Sequence, residues 1–153
     1  MRRLIGLSLM LVAMPALAQE GDAVAGKGAF APCSSCHDVS ESPRNRMGPY
    51  LTGVVGRKAA TVEGFTYSKA MIAAAEAGLV WTPESLDAFI SGPHDYVPGT
   101  KMPNVMIRDA TARANVIAYL VSLSPDFDPE TQVSTYAPPA EAGAASAAPS
   151  SAQ

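Results

Sequence analysis

Both cysteines of this 153-residue chain lie in one short stretch, Cys33-Ser34-Ser35-Cys36-His37, which also holds one of its two histidines. Thiols and imidazoles bind metals, exchange disulfides or anchor cofactors, so three chemistries compete for this stretch. A closed zinc site needs four ligands, and His94 is the only other histidine, so a carboxylate would have to complete the set. A thioredoxin-type pair starts a helix after a strand, whereas the residues before Cys33 are predicted to be helical.

Covalent haem attachment is the third chemistry, and C-x-x-C-H is its recorded spacing. On a helical turn, residues i, i+3 and i+4 share one face. Cys33 and Cys36 can therefore form thioethers with the two vinyl groups of one porphyrin edge, while His37 turns its imidazole to the iron. We favour this interpretation, but the spacing is short enough to arise by chance and needs a second ligand and a pocket.

Met102, in the segment PGTKMPN, is the best candidate for a second axial ligand. Pro98 and Pro103 stiffen its loop, and the residue before a proline favours extended backbone, which can present a thioether to iron. His94 is the other candidate, through bis-histidine ligation. The chain has seven methionines, and most methionines fill gaps in protein cores. We assign that packing role to Met47, Met71 and Met106.

Four helices are predicted from capping residues and apolar spacing. The first follows Asp22 and runs to about Ala31, and the second starts at Thr66 or Ser68 and stops at Gly78. The third starts at Thr82-Pro83 and ends before Pro93. The last starts at Asp109 and carries an apolar stripe of Val116, Tyr119, Leu120 and Leu123.

These helices supply little apolar surface for a domain of about a hundred residues. The segments 42–65 and 91–108 between them are rich in glycine and proline. We therefore expect a large flat apolar group to fill the centre, in contact with aromatic side chains of Phe30, Trp81, Phe89 and Tyr119.

Residues 1–18 place Arg2 and Arg3 before a short apolar run that ends in Ala16-Leu17-Ala18. This order is typical of a secretory signal peptide cleaved before Gln19, and the run is too short to span a membrane. We expect export to a bacterial periplasm and no membrane-spanning segment. Removing the two arginines from 11 basic residues leaves 9 against 14 acidic ones, which argues against nucleic-acid binding.

The chain after Pro125 has almost no large apolar side chains beyond Tyr136, and 8 of its last 17 residues are alanine. Such a composition cannot bury enough apolar surface to offset its ordering entropy. We assign residues 126–153 to a disordered tail rich in alanine, proline and serine. Residues 19–125 then form one all-α domain.

From Gly26 to Leu120 the chain resembles class I c-type cytochromes, especially the soluble bacterial relatives of mitochondrial cytochrome c. The segments that carry the resemblance occur in family order, and they are GKGAF, CSSCH, MGPYLTGVVGRK, GFTYS, GLVW, YVPGTKM and VIAYL. PGTKM together with C-x-x-C-H is a specific combination. The resemblance covers nearly all of the predicted domain and neither terminus.

The resemblance implies a cytochrome c fold in which the first and last helices cross, with Gly26 beneath Tyr119. It implies one covalent haem c with His37 and Met102 as axial ligands. The carbonyl of Pro49 would accept the imidazole N–H of His37, which fixes the tautomer and strengthens donation to iron. The resemblance further implies that three donors face the haem propionates: Arg57, Tyr67 and Trp81.

This chain departs from the family pattern at several positions. Phe89 stands where many relatives have a tyrosine that donates to the methionine sulfur. His94 and Asp95 stand where a lysine pair is common, which leaves Lys27, Lys101 and Arg108 as charges at the rim. Charge steering sets association rates, so we expect weak salt dependence or a partner less acidic than usual.

The family implies a monomeric one-electron carrier rather than an enzyme, since protein ligands at both axial positions leave no open position for substrate. Its expected partners are membrane redox complexes, with a bc1-like donor and an oxidase, reductase or reaction centre as acceptor. Two alternatives remain: a haem enzyme or gas sensor whose Met102 is displaced, and a module docked to a larger oxidoreductase through the tail.

Overall fold

The computed structural model describes residues 21–139, so the predicted signal peptide at 1–18 lies outside the described residues. Six helices occur in this range: α1 (Ala23–Ala29), α2 (Ala31–Ser34), α3 (Lys69–Glu76), α4 (Pro83–Ser91), α5 (Pro93–Tyr96) and α6 (Ala110–Ser122). Extended pairing within 21–139 is limited to one antiparallel bridge between Lys58 and Val80. None of these helices is long and apolar enough to cross a membrane. The prediction of an all-α domain is confirmed.

All four predicted helices begin where their capping residues indicate. The side chains of Asp22, Ser68, Thr82 and Asp109 each accept a backbone N–H from the first turn of α1, α3, α4 and α6. The first helix ends earlier than predicted, at Ala29, and the chain re-enters a helix in α2 with a proline in its first turn. Local capping therefore fixes where these helices start.

Helices α1 and α6 cross closely, as the resemblance implies. A Cβ on Gly26 would collide with the carbonyl oxygen of Asn115 and would lie 2.9 Å from Cβ of Tyr119. The side chain of Asn115 accepts the amide N–H of Asp22 over 2.8 Å. Beside the crossing, the rings of Phe30 and Tyr119 meet edge to face with centroids 5.7 Å apart. Glycine at position 26 is thus required by the close approach of two backbones.

Apart from Val62, the buried apolar side chains form two separate clusters. The first cluster lies between α1, α4, α6 and the segment 54–55, and it consists of Phe30, Val54, Val55, Leu86, Ile90, Val116, Ile117 and Leu120. The second lies around α3 and consists of Ala59, Met71, Ala74, Ala75, Leu79, Phe89 and Val97. Trp81 and Met102 are partly buried and pack against both clusters.

A cavity of about 230 Å³ separates the two clusters. Its lining includes Phe30, Leu86 and Leu120 from the first cluster and Met71 and Phe89 from the second. The centre of the domain is thus a cavity with apolar walls, as expected if a large apolar group completes the core.

Residues 126–139, which we call the strap, correct the prediction of a disordered tail after Pro125. Phe127 packs against the first cluster and Tyr136 against the second. The Thr135 amide donates to the carbonyl of Gly78 over 3.2 Å, and the Tyr136 hydroxyl donates to the carbonyl of Tyr96 over 2.9 Å. Two aromatic side chains and these hydrogen bonds hold a segment whose average composition is polar. The rest of the predicted tail, 140–153, lies outside the described residues.

Candidate haem site

The turn that carries Cys33, Cys36 and His37 forms one wall of the cavity. Helix α2 begins directly after Phe30, and the amides of Cys36 and His37 both donate to the carbonyl of Cys33, over 3.1 and 2.9 Å. This helical turn places all three side chains on the cavity lining. Both thiols are free. Burial, with a smaller contribution from the charge of Cys36, raises the pKa of Cys33, so its thiol is neutral at neutral pH.

The imidazole of His37 is held with one nitrogen directed away from the backbone. Its Nδ1 lies 2.6 Å from the carbonyl oxygen of Pro49. A carbonyl can only accept, so Nδ1 carries the hydrogen and Nε2 keeps its lone pair. Burial lowers the pKa of His37, and the bond to Pro49 opposes this shift in part. The neutral ring, with Nε2 free, is the form that ligates a metal.

Gly48 contributes to this arrangement, a role that was not predicted from the sequence. Its amide donates to the carbonyl of Cys36 over 2.9 Å. A Cβ at position 48 would collide with Cε1 of His37 and lie 2.7 Å from Nδ1. The Gly48-Pro49 pair thus supports one face of the ring and supplies the carbonyl. The dipeptide was visible in the sequence, but its distance from His37 depends on the path of the intervening loop.

Met102 reaches the cavity from the loop between α5 and α6. Its amide donates to the hydroxyl of Thr100 over 3.3 Å, and its carbonyl lies 3.0 Å from Nε2 of His94. Met47 and Met71 also line the cavity, but Met47 is 78% exposed and Met71 belongs to the buried second cluster. Met102 alone among these three packs against both clusters. His94 is exposed, and its Nε2 faces the Met102 carbonyl.

Arg57, Tyr67 and Trp81 all lie on the lining of the same cavity. The Arg57 guanidinium donates to the carbonyls of Tyr50 and Thr52, over 2.9 and 3.2 Å, and lies over the Tyr50 ring. Burial lowers the pKa of Arg57, while the nearby phenols of Tyr67 and Tyr50 raise it. Within residues 21–139 the ion pair recorded is Arg113 with Asp87, so no carboxylate neutralises Arg57 there.

Tyr67 offers a protonated hydroxyl at this edge of the cavity. Burial raises its pKa, and the hydroxyl oxygen accepts the amide N–H of Val62 over 3.3 Å. The hydroxyl hydrogen is therefore free to be donated. A half-buried cation without a carboxylate partner and a phenol donor suit a ligand that carries carboxylates on one edge.

The residues present fit a haem better than the other two chemistries. Among the described residues, no three His, Cys, Asp or Glu side chains are grouped as a metal-ion site requires. The cysteines follow a helix rather than a strand, which differs from the thioredoxin arrangement. The cavity matches the parts of a haem c. Two free thiols and an imidazole lie on one wall, apolar side chains form the others, and Arg57 and Tyr67 lie at one edge.

Comparisons with known proteins agree with this geometry. The family profile described as Cytochrome c matches residues 23–124. A cytochrome c2 from Afifella marina is 43% identical over 122 residues, which cover 79% of this chain and 98% of that relative. A cytochrome c2 from Agrobacterium tumefaciens is 43% identical over 102 residues, 67% of this chain and 92% of that relative.

A solved structure of cytochrome c2 from Rhodospirillum centenum superposes with a TM-score of 0.66 at 38% identity, covering 69% of this chain and 100% of that one. The ferricytochrome c2 of Rhodopseudomonas palustris gives a TM-score of 0.61 at 37% identity, covering 67% and 98%. The predicted cytochrome c fold is confirmed. With its paired cysteines on a matching cavity, the chain belongs to the cytochrome c family, an electron-transfer family whose members bind one covalent haem c.

Proposed function

We propose that this protein is a monomeric periplasmic electron carrier whose single haem c is ligated by His37 and Met102. The observation that carries the proposal is the cavity between the two clusters. Its wall holds Cys33, Cys36 and His37, and Met102 packs against both clusters at its lining. The cytochrome c2 names of the relatives support electron carriage rather than catalysis.

The haem supplies a one-electron couple, and the chain supplies its attachment, ligands and surroundings. Cys33 and Cys36 would anchor it through thioethers. The hydrogen bond from His37 to Pro49 holds the imidazole with Nε2 toward the cavity. The soft thioether of Met102 favours a positive potential. With His37 and Met102 both bound to the iron, no position would be open for a substrate.

Arg57, Tyr67 and Trp81 are proposed to bind the two haem propionates. The support is their shared position on the lining and the absence of a carboxylate partner for Arg57 within 21–139. Two carboxylates in an apolar crevice require donors, and a guanidinium, a phenol and an indole are suitable ones.

The proposed partners are membrane redox complexes: a bc1-like donor, and an oxidase, reductase or reaction centre as acceptor. The predicted signal peptide supports a periplasmic location. Lys58 and Lys101 are the lysines that line the cavity, and His94 and Asp95 are both exposed on α5. A rim with few lysines predicts a weak salt dependence of electron transfer. Stopped-flow rates with a strongly acidic oxidase that rise steeply as salt is lowered would contradict this.

The test is the mass and visible spectrum of protein matured in a periplasm that attaches haem. We expect one covalent haem and, in the ferric state, the long-wavelength charge-transfer band of methionine-ligated iron. The Met102→Ala variant should lose that band. Met106→Ala should keep it, because Met106 does not line the cavity.

A mass without covalent haem would reject the whole proposal. A high-spin ferric spectrum with immediate carbon monoxide binding would instead favour the enzyme or sensor alternative. That alternative has one structural observation behind it: Phe89 is buried between Trp81 and Tyr96 and offers no hydroxyl to a methionine sulfur.

A further inference from the structure

The segment that carries Met102 is anchored firmly at both ends. At its start, Val97 is 1% exposed and its carbonyl accepts the amide of Thr100 over 3.0 Å. At its far end, the Ile107 amide donates to the carbonyl of Ile90 over 3.1 Å, and Arg113 donates to the carbonyl of Ile107 over 2.9 Å. The residues between these anchors, 101–106, are partly or fully exposed.

Two hydrogen bonds hold the backbone of Met102 itself between those anchors. The bond to Thr100 joins residues two positions apart and therefore moves with the loop. The bond from His94 joins residues eight positions apart over 3.0 Å. Since a carbonyl can only accept, Nε2 of His94 is the donor. His94 is thus the residue that ties the backbone of Met102 to a different element.

Helix α5, which carries His94, is itself well supported. Pro93 is one of the most completely buried side chains of the domain, and the amide of Tyr96 donates to the carbonyl of Gly92 over 2.9 Å. The strap adds a bond from the Tyr136 hydroxyl to the carbonyl of Tyr96. His94 therefore donates from a well-supported helix to a more exposed segment.

We propose that His94 is a positioning residue that holds Met102 in place as the sixth ligand and so limits its replacement by small ligands. This inference rests on the proposed ligation by Met102. Opening of the loop must break the His94 bond before another ligand can enter. A net hydrogen bond of ordinary strength favours the closed loop by about two- to tenfold.

The experiment measures the affinity of ferric protein for imidazole at neutral pH, followed through loss of the methionine charge-transfer band. His94→Ala should bind imidazole about two- to tenfold more tightly than the native chain. His94→Gln keeps an N–H donor of similar reach, so its imidazole affinity should be close to that of the native chain. Asp95→Asn is the matched control, because Asp95 is exposed on the same short helix, and it should match the native chain.

Each other outcome overturns the inference. Equal imidazole affinity in His94→Ala and the native chain would show that the hydrogen bond does not hold the loop closed. Equal affinity in His94→Gln and His94→Ala would assign any effect to the ring rather than to its N–H. If the native ferric protein lacks the charge-transfer band, the proposed ligation fails and this inference fails with it. If the band is present but the imidazole affinity does not depend on His94, this inference alone is overturned.

Discussion

Replacing Phe127 by alanine tests whether the strap is a packed part of the domain. The ring lies against the first cluster and beside Gly56, where a Cβ would come within 2.9 Å of it. Truncating a fully buried phenylalanine costs about 3–5 kcal/mol. Phe127 is only partly buried, so we expect the free energy of unfolding to fall by about 2 kcal/mol.

Fluorescence of the single tryptophan provides the assay. Trp81 lines the cavity, so bound haem quenches its emission in the folded state and unfolding restores it. A guanidinium titration followed through the Trp81 emission gives the free energy of unfolding. In thermal unfolding, the same loss should lower Tm by roughly 5–10 °C for a domain of this size.

Val133→Ala is the matched control in the same strap. Val133 is 56% exposed, and exposed substitutions usually change stability by less than about 0.5 kcal/mol. If Phe127→Ala leaves the unfolding midpoint unchanged, residues 126–139 are not packed on the domain, and the disorder predicted from the sequence holds for them.

Three further predictions concern the helix crossing, the haem cradle and alkaline stability. Gly26→Ala should lower the free energy of unfolding by about 2 kcal/mol because the added Cβ would collide with α6. Gly28→Ala is the control: it has open space around it, so it should raise the free energy of unfolding by about 0.5 kcal/mol. Equal thermal midpoints for the two variants would refute the close crossing. Gly48→Ala should push the His37 ring away and so reduce the yield of covalent haem per chain, measured by absorbance and mass. A native yield with a native spectrum would show that Gly48 does not support the ring. Burial raises the pKa of the Tyr67 phenol in the folded protein above its value of about 10 in the unfolded chain. The stability that Tyr67 contributes is therefore fully present below the pKa of the unfolded chain and is lost as pH rises through the pKa of the folded protein. Denaturant midpoints from about pH 9 to 11 should therefore fall less in Tyr67→Phe, and parallel curves would contradict this.

The sequence predicted well those features that depend on neighbouring residues. Asp22, Ser68, Thr82 and Asp109 each cap the helix they precede, because a side chain and the amides two or three positions later are already close in the chain. The helical turn of Cys33, Cys36 and His37 is equally local, and it appears as α2 and the residues after it.

Features that join distant residues were less predictable. The contact of His37 with Pro49 was expected only through the family resemblance, and the contact of His94 with Met102 was not expected at all. Both depend on loops whose paths are fixed by tertiary packing. The strap was missed because composition averages over a whole segment, whereas Phe127 and Tyr136 are two anchors within it.

The close crossing of α1 and α6 affects the order in which the chain folds and acquires its haem. Helix α1 has seven residues, too few to be stable in water by itself, and its partner α6 begins at Ala110. During synthesis, α1 is therefore not expected to be stable until α6 has been made and can pack against it. For that interval the cysteine pair next to α1 lacks the support of the packed α1–α6 crossing. We therefore expect haem attachment to be easiest before α6 docks, with docking of α6 closing the domain afterwards.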